Sequence, residues 1–210
     1  MGLEATQRAS QKAREAALRS ELGRAALAAA GEFGYRGLTV EAILTGAGTS
    51  RALFYARFAN KSECYAAGYQ AHAEWLAGEL LAAGAAAPDW LTGLRNALER
   101  LAAFAEGEPS LAKGVFAEVH VAGGAAAAKR KEVFERLSRA LDSARRETSE
   151  SRHSPPPITA AFILSAIEAA VVRTLTAIDP IPLEDAVGEL TQIAGLLYFG
   201  EAATSSAGSA

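Results

Sequence analysis

A chain of 210 residues, half of them hydrophobic and 21% charged, is long enough to bury a sizeable core in one domain or two. No run of eighteen uncharged apolar residues occurs and the N-terminus is polar and charged, so the sequence predicts neither a membrane span nor a secretory signal and points to the cytoplasm. The net charge of −3 hides a division: residues 1–62 carry nine Lys or Arg against five Asp or Glu, and residues 63–210 carry twelve against nineteen. A basic head on an acidic body suits a protein that sets its N-terminal end on a polyanion.

In chain order, Arg8, Lys12 and Arg14 read as a solvated, partly mobile basic arm. From Arg14 to Phe33 the apolar residues Ala17, Leu18, Leu22, Ala25, Ala26, Ala29, Ala30 and Phe33 recur at helical spacing, and Gly34-Tyr35-Arg36-Gly37 closes the run. Thr39 is placed to cap a short helix with Val40, Ile43, Leu44 and Ala47 inward, and Gly48 supplies the left-handed turn that ends it. Ser50 then caps a further helix. Phe54 and Phe58, four apart, dock it, which leaves Arg51, Tyr55 and Arg57 outward. The pair is a helix-turn-helix, the geometry that puts a recognition helix in the major groove.

Ala28-Ala29-Ala30, Phe33-Gly34-Tyr35, Thr39-Val40, Ile43, Ala47-Gly48, Ser50, Phe54-Tyr55, Phe58 and Lys61 together resemble the TetR family of bacterial transcriptional regulators over roughly residues 14 to 65. Leu44 departs from the small residue usual there and needs room from Ala47 and Ala52; Thr49 stands where a β-branched apolar residue is usual. The resemblance implies an all-α protein in which a three-helix DNA-binding domain, residues 1–61, precedes a helical effector-binding and dimerisation domain, residues 62–202. It further implies a homodimer on a palindromic double-stranded operator, released by a small effector. The predicted DNA-contacting residues are Thr39, Ser50, Arg51, Ala52, Leu53, Tyr55, Arg57 and Lys61, with Arg51 and Leu53 toward bases and the hydroxyls and Lys61 toward phosphates.

Beyond Lys61 no strand alternation persists. Breaks at 84–88, 107–109, 123–124, 151–157 and 179–182 divide the body into helices near 62–83, 88–106, 109–121, 124–149, 157–178 and 183–202, about nine helices in all. Residues 203–210 are small and polar and read as a disordered tail. The last two helices are apolar around more than one face and so must be covered on several sides. Ile163, Val171, Leu190, Ile193 and Leu197 are the candidate dimer contacts, in a bundle shared between two copies. Trp75, Phe104, Phe116, His120, Phe162 and Ile167, spread over several helices, are the candidate lining of a pocket for a largely apolar effector, although each aromatic taken singly is better explained by core packing.

The chemistry of an enzyme is missing from the sequence. It has no glycine-rich phosphate loop and no nucleophile motif, and His72, His120 and His153 are too scattered for a metal site, so no cofactor or metal is expected. The lone Cys64 reads as a buried structural thiol. Control by a protein partner, or activation in place of repression, remains compatible with the same head.

Overall fold

The computed structural model describes residues 2–148 and 155–200, with side chains from residue 11 onward. Among the described residues the chain is all α, with ten helices and no strand. The head comprises α1 (Gly2–Phe33), α2 (Val40–Ala47) and α3 (Arg51–Tyr55). The body comprises α4 (Lys61–Ala85), α5 (Trp90–Gly107), α6 (Pro109–Phe116), α7 (Val119–Ala122), α8 (Gly124–Arg146), α9 (Thr159–Thr176) and α10 (Leu183–Phe199). The expected tail at 203–210, and His153 with its neighbours, lie outside the described residues.

Two expectations are corrected. The basic arm of Arg8, Lys12 and Arg14 is helical, because α1 runs unbroken from Gly2; no Gly or Pro stands between residues 3 and 22 to stop it. The single helix expected over 109–121 is two, which raises the count from nine to ten. At the join the hydrogen-bond ladder slips: the Glu118 N–H reaches back five residues to Lys113 O at 3.1 Å, and the Val121 N–H takes Glu118 O. The Glu118 carboxylate is turned toward the head, where it accepts the Tyr35 N–H at 2.7 Å.

Local capping sets where the helices begin. Asn60 accepts the Glu63 N–H at 2.9 Å while Glu63 reaches back to the Ala59 N–H at 2.8 Å, a variant of the reciprocal box that starts α4. Asp89 holds both the N–H and the hydroxyl of Thr92 at the head of α5, and Pro109 occupies the first turn of α6, where its missing N–H costs nothing.

The hub is α1, which meets α4 and α6 backbone to backbone. A Cβ on Gly114 would stand 2.0 Å from Leu27 O, and one on Gly31 would stand 1.8 Å from Ser110 O, so only glycine permits α6 to lie this close. Gly23 and Gly68 make the same approach between α1 and α4, where a Cβ on Gly68 would stand 2.3 Å from Gly23 O. Tyr65 reaches through the joint to donate its hydroxyl to Gly114 O at 2.7 Å, and its ring packs edge-on against Tyr35 with centroids 4.9 Å apart. These contacts bind the head to the body through α6, over the sequence distance from Leu27 to Gly114.

Cys64 is fully buried in the same joint and donates to Leu22 O at 3.4 Å. Burial pushes its thiol up to about 12. The folded chain should therefore resist a disulfide reagent at pH 8 and react only once unfolded in guanidinium. Prompt labelling of the folded chain would show that α1 and α4 open readily.

By length and composition α9 is apolar enough to cross a bilayer. It nevertheless carries Glu168 and Arg173, and Ala160, Ile163, Ile167 and Val171 form a buried stripe against the body.

Candidate nucleic-acid interface and effector cavity

The helix-turn-helix is built as its residue types require. Thr39 is extended (φ −124°, ψ 159°) and its hydroxyl oxygen accepts the Ala42 N–H at 3.1 Å. Gly48 ends α2 in the left-handed region (φ 59°, ψ 36°), where its N–H returns to the Leu44 and Thr45 carbonyls. Ser50 begins α3 by accepting the Leu53 N–H at 3.3 Å. Phe54 and Phe58 are sealed in the core with ring centroids 5.9 Å apart, and Leu44 is half-buried against the same cluster, so its extra bulk is housed. Phe33, expected inward, lies on the surface, where it borders a groove between α1 and α2.

On the outer side, Thr39, Ser50, Arg51, Ala52, Leu53 and Tyr55 are exposed together. Arg51 pairs with Glu41 on the surface, an exposed contact of little energetic weight that the guanidinium can leave. Arg57 and Lys61 sit deeper. The Arg57 guanidinium folds back to donate to Leu53 O at 3.0 Å, and the Lys61 ammonium donates to Leu38 O at 2.5 Å while lying 5.9 Å from the Tyr35 ring centre. Arg19 closes the end of α3 by donating to Arg57 O at 3.1 Å with its guanidinium over the Phe58 ring. An exposed, capped surface whose Arg51 pairs with a surface carboxylate, with hydroxyls at its edges, has the side chains that a duplex groove requires.

In the body, α4, α5, α6, α8 and α9 surround a narrow cavity of about 110 Å³. Its wall is apolar, with Tyr69, Leu76 and Leu80 from α4, Leu101 from α5, Val115 and Phe116 from α6, Val133, Phe134 and Leu137 from α8, and Leu164 and Ile167 from α9. One end is charged, where Arg130 and Glu168 face each other through Nε to Oε1 at 2.8 Å and a second, shorter bond from Nη2 to Oε2. His120 stands outside this pair, half-exposed, with Nε2 3.6 Å from Glu168 Oε1.

The structure thus gathers two of the six residues expected to line a pocket, Phe116 and Ile167. Phe104 is buried beneath Trp75, edge-on at 5.7 Å, Trp75 and Phe162 are exposed on the outside of the body, and His120 flanks the charged end. Sequence reasoning passed over Tyr69, Phe134, Arg130 and Glu168. A signal for the last two existed. Arg130 falls on the same α8 stripe as Val133, Leu137 and Leu141, and Glu168 beside Ile167 on the apolar run of α9, so each is a charge set among core positions.

Of the five candidate dimer contacts, Ile163 and Val171 face the chain's own core, Leu190 is half-buried, and Ile193 and Leu197 are exposed. Ile158 just before α9, Phe162 on α9 and Leu196 on α10 are exposed apolar side chains too.

Comparison with known proteins bears on both regions. Residues 23–67, from the second half of α1 into α4, match the family model described as bacterial regulatory proteins, tetR family. No curated protein matches the chain. The fold is similar to that of the fatty acid degradation regulator FadR from Bacillus halodurans, with a TM-score of 0.72 at 17% identity, covering 83% of this chain and 96% of that one. It is equally similar to the transcriptional regulator FadR from Bacillus subtilis, solved in complex with stearoyl-CoA, with a TM-score of 0.72 at 17% identity over 86% of this chain and 97% of the other. A TetR family regulator from Marinobacter aquaeolei gives 0.66 at 18% identity over 86% and 97%. With α3 capped and standing on Phe54 and Phe58, residues 23–67 form a head of the kind found in the tetR family of bacterial regulatory proteins, and the chain as a whole has the fold of these regulators.

Proposed function

We propose that the chain is a cytoplasmic homodimeric repressor that reads an inverted-repeat operator through α3 and is released when a small, largely apolar effector enters the cavity between α4, α6, α8 and α9. The observation that carries this reading is the cavity's position: its α6 wall, Val115 and Phe116, adjoins Gly114, whose backbone lies against Leu27 of the head. Ligand pockets commonly run to about 300–1,000 Å³, so a bound effector must push the walls of this 110 Å³ cavity apart. Because α6 meets α1 backbone to backbone at Gly31 and Gly114, that displacement passes to the head and changes the separation of the two recognition helices. The stearoyl-CoA held by the Bacillus subtilis neighbour supports an acyl-bearing effector. The exposed apolar side chains of α9 and α10, Phe162, Ile193 and Leu197 among them, support a two-fold bundle as the dimer contact.

An effector that binds the native state should raise thermal stability and lower operator affinity by about 5- to 150-fold, and the operator must weaken effector binding by the same factor. A ligand that stabilises the chain but binds free and operator-bound protein equally would end the release mechanism.

At the interface itself, two substitutions should act differently. Lys61→Ala should weaken binding to every duplex and lower the slope of log affinity against log salt by about one. Arg51→Ala should cost about 1–3 kcal/mol and relax preference at one base position per half-site. Anisotropy titrations at several salt concentrations check both, and parent-like behaviour of the two variants would remove α3 from the groove.

A further inference from the structure

The Arg130–Glu168 pair is out of keeping with the cavity it closes. Every other wall residue is apolar apart from the Tyr69 hydroxyl, and an ion pair in such a wall is on general grounds no more stable than apolar side chains of the same volume. A neutral apolar effector has no use for it. The guanidinium offers its Nε and Nη2 edge in the forked geometry that carboxylate and phosphate oxygens share, and the partner now on that fork is itself a carboxylate. The pair also lies between the apolar interior and the half-exposed His120, so one side faces the tail space and the other faces solvent.

The surroundings favour an anion there. The body as a whole is acidic, yet α8 carries seven Lys or Arg against three Asp or Glu. Two of them, Lys129 and Arg136, share the carboxylate of Glu74, and Lys129 also meets Glu132 at 2.9 Å, so the excess positive charge of α8 rests on its other cations.

We propose that Arg130 is the anchor for the anionic head of the effector, and that Glu168 is an internal stand-in which the head displaces. The effector is then an amphiphile: an apolar tail among Leu76, Val133, Ile167 and their neighbours, and a carboxylate or phosphate on the Arg130 fork. Glu168, once released, is already within reach of His120. This rests on the reading of the cavity as the effector site.

The test is equilibrium binding of dodecanoate, dodecanoyl-CoA and dodecanol to the full chain and to Arg130→Gln, Arg130→Lys and Glu168→Gln variants. The parent should bind the acid, the thioester or both at least ~10-fold more tightly than the alcohol. Preference for the acid alone identifies a carboxylate head and preference for the thioester alone identifies the phosphates. Arg130→Gln should erase the preference and leave the alcohol's affinity unchanged; Arg130→Lys, which keeps the charge without the fork, should erase most of it. Glu168→Gln should tighten the anionic probes, an outcome that a merely structural pair would not give. Equal binding of all three to the parent, or an Arg130→Gln loss as large for the alcohol as for the anions, overturns the anchor and leaves the apolar effector site standing. Failure of all three to bind overturns both.

Discussion

Gly114→Ala should destabilise the chain by roughly 3 kcal/mol or more and uncouple the head from the body. Over-packing normally costs about 1–3 kcal/mol because neighbouring side chains give way. Here the new Cβ would meet Leu27 O at 2.0 Å and the Leu27 carbonyl carbon at 2.7 Å, and neither is the free end of a flexible side chain. Helix α6 must then lift off α1, and the Tyr65 hydroxyl loses its partner, Gly114 O, in a buried place. Gly78→Ala is the control. It lies inside α4 with nothing within 4 Å of its added Cβ, and should be neutral or mildly stabilising as an exposed helical Gly→Ala exchange. Urea unfolding of both variants decides it; a Gly114→Ala midpoint equal to that of the parent would mean that α1 and α6 do not touch as described.

The second large effect concerns assembly. Ile193→Asp and Phe162→Asp should each leave the protomer folded, because half or more of either side chain is exposed, yet convert the chain to a monomer at micromolar concentration. Operator affinity should fall by about 100-fold or more, since the second half-site is no longer held at high effective concentration. Ile163→Asp and Val171→Asp should behave otherwise, placing an unpaired charge in the protomer's own core and lowering the unfolding temperature itself. Sedimentation together with thermal unfolding separates the two classes. A Phe162→Asp, Ile193→Asp double variant that sediments as a dimer would relocate the interface.

The head was largely legible in the sequence because its signals are local. Thr39, Gly48 and Ser50 act within four residues of where they stand, and Phe54 and Phe58 are one helical turn apart, so capping chemistry and periodicity were enough. The joint between head and body was not, since a glycine in a helix looks like a weakness until the backbone opposite it is known; Gly31 excludes a side chain on account of Ser110 and Gly114 on account of Leu27, partners about 80 residues or more away. The split of α6 from α7 was hidden for the same reason. Glu118 finds its partner at Tyr35, a contact across the fold that no local propensity encodes. The aromatics Trp75 and Phe162 lie on the outside of the body, whereas the charges interrupting the apolar stripes, Arg130 and Glu168, line the cavity. Apolar periodicity shows that α9 and α10 must be covered. It cannot say which face looks inward, so Ile163 and Val171 went to the core and Phe162 to the surface.

The central claim is that two copies of this chain read DNA symmetrically through α3. Selection of duplexes from a random-sequence pool by the purified chain tests it most directly. The account predicts enrichment of an inverted repeat whose half-site centres lie about 34–36 Å apart, one turn of the duplex, with Arg51→Ala losing preference at one position in each half. Recovery of no preferred sequence, or of a single half-site without its mirror image, would contradict it.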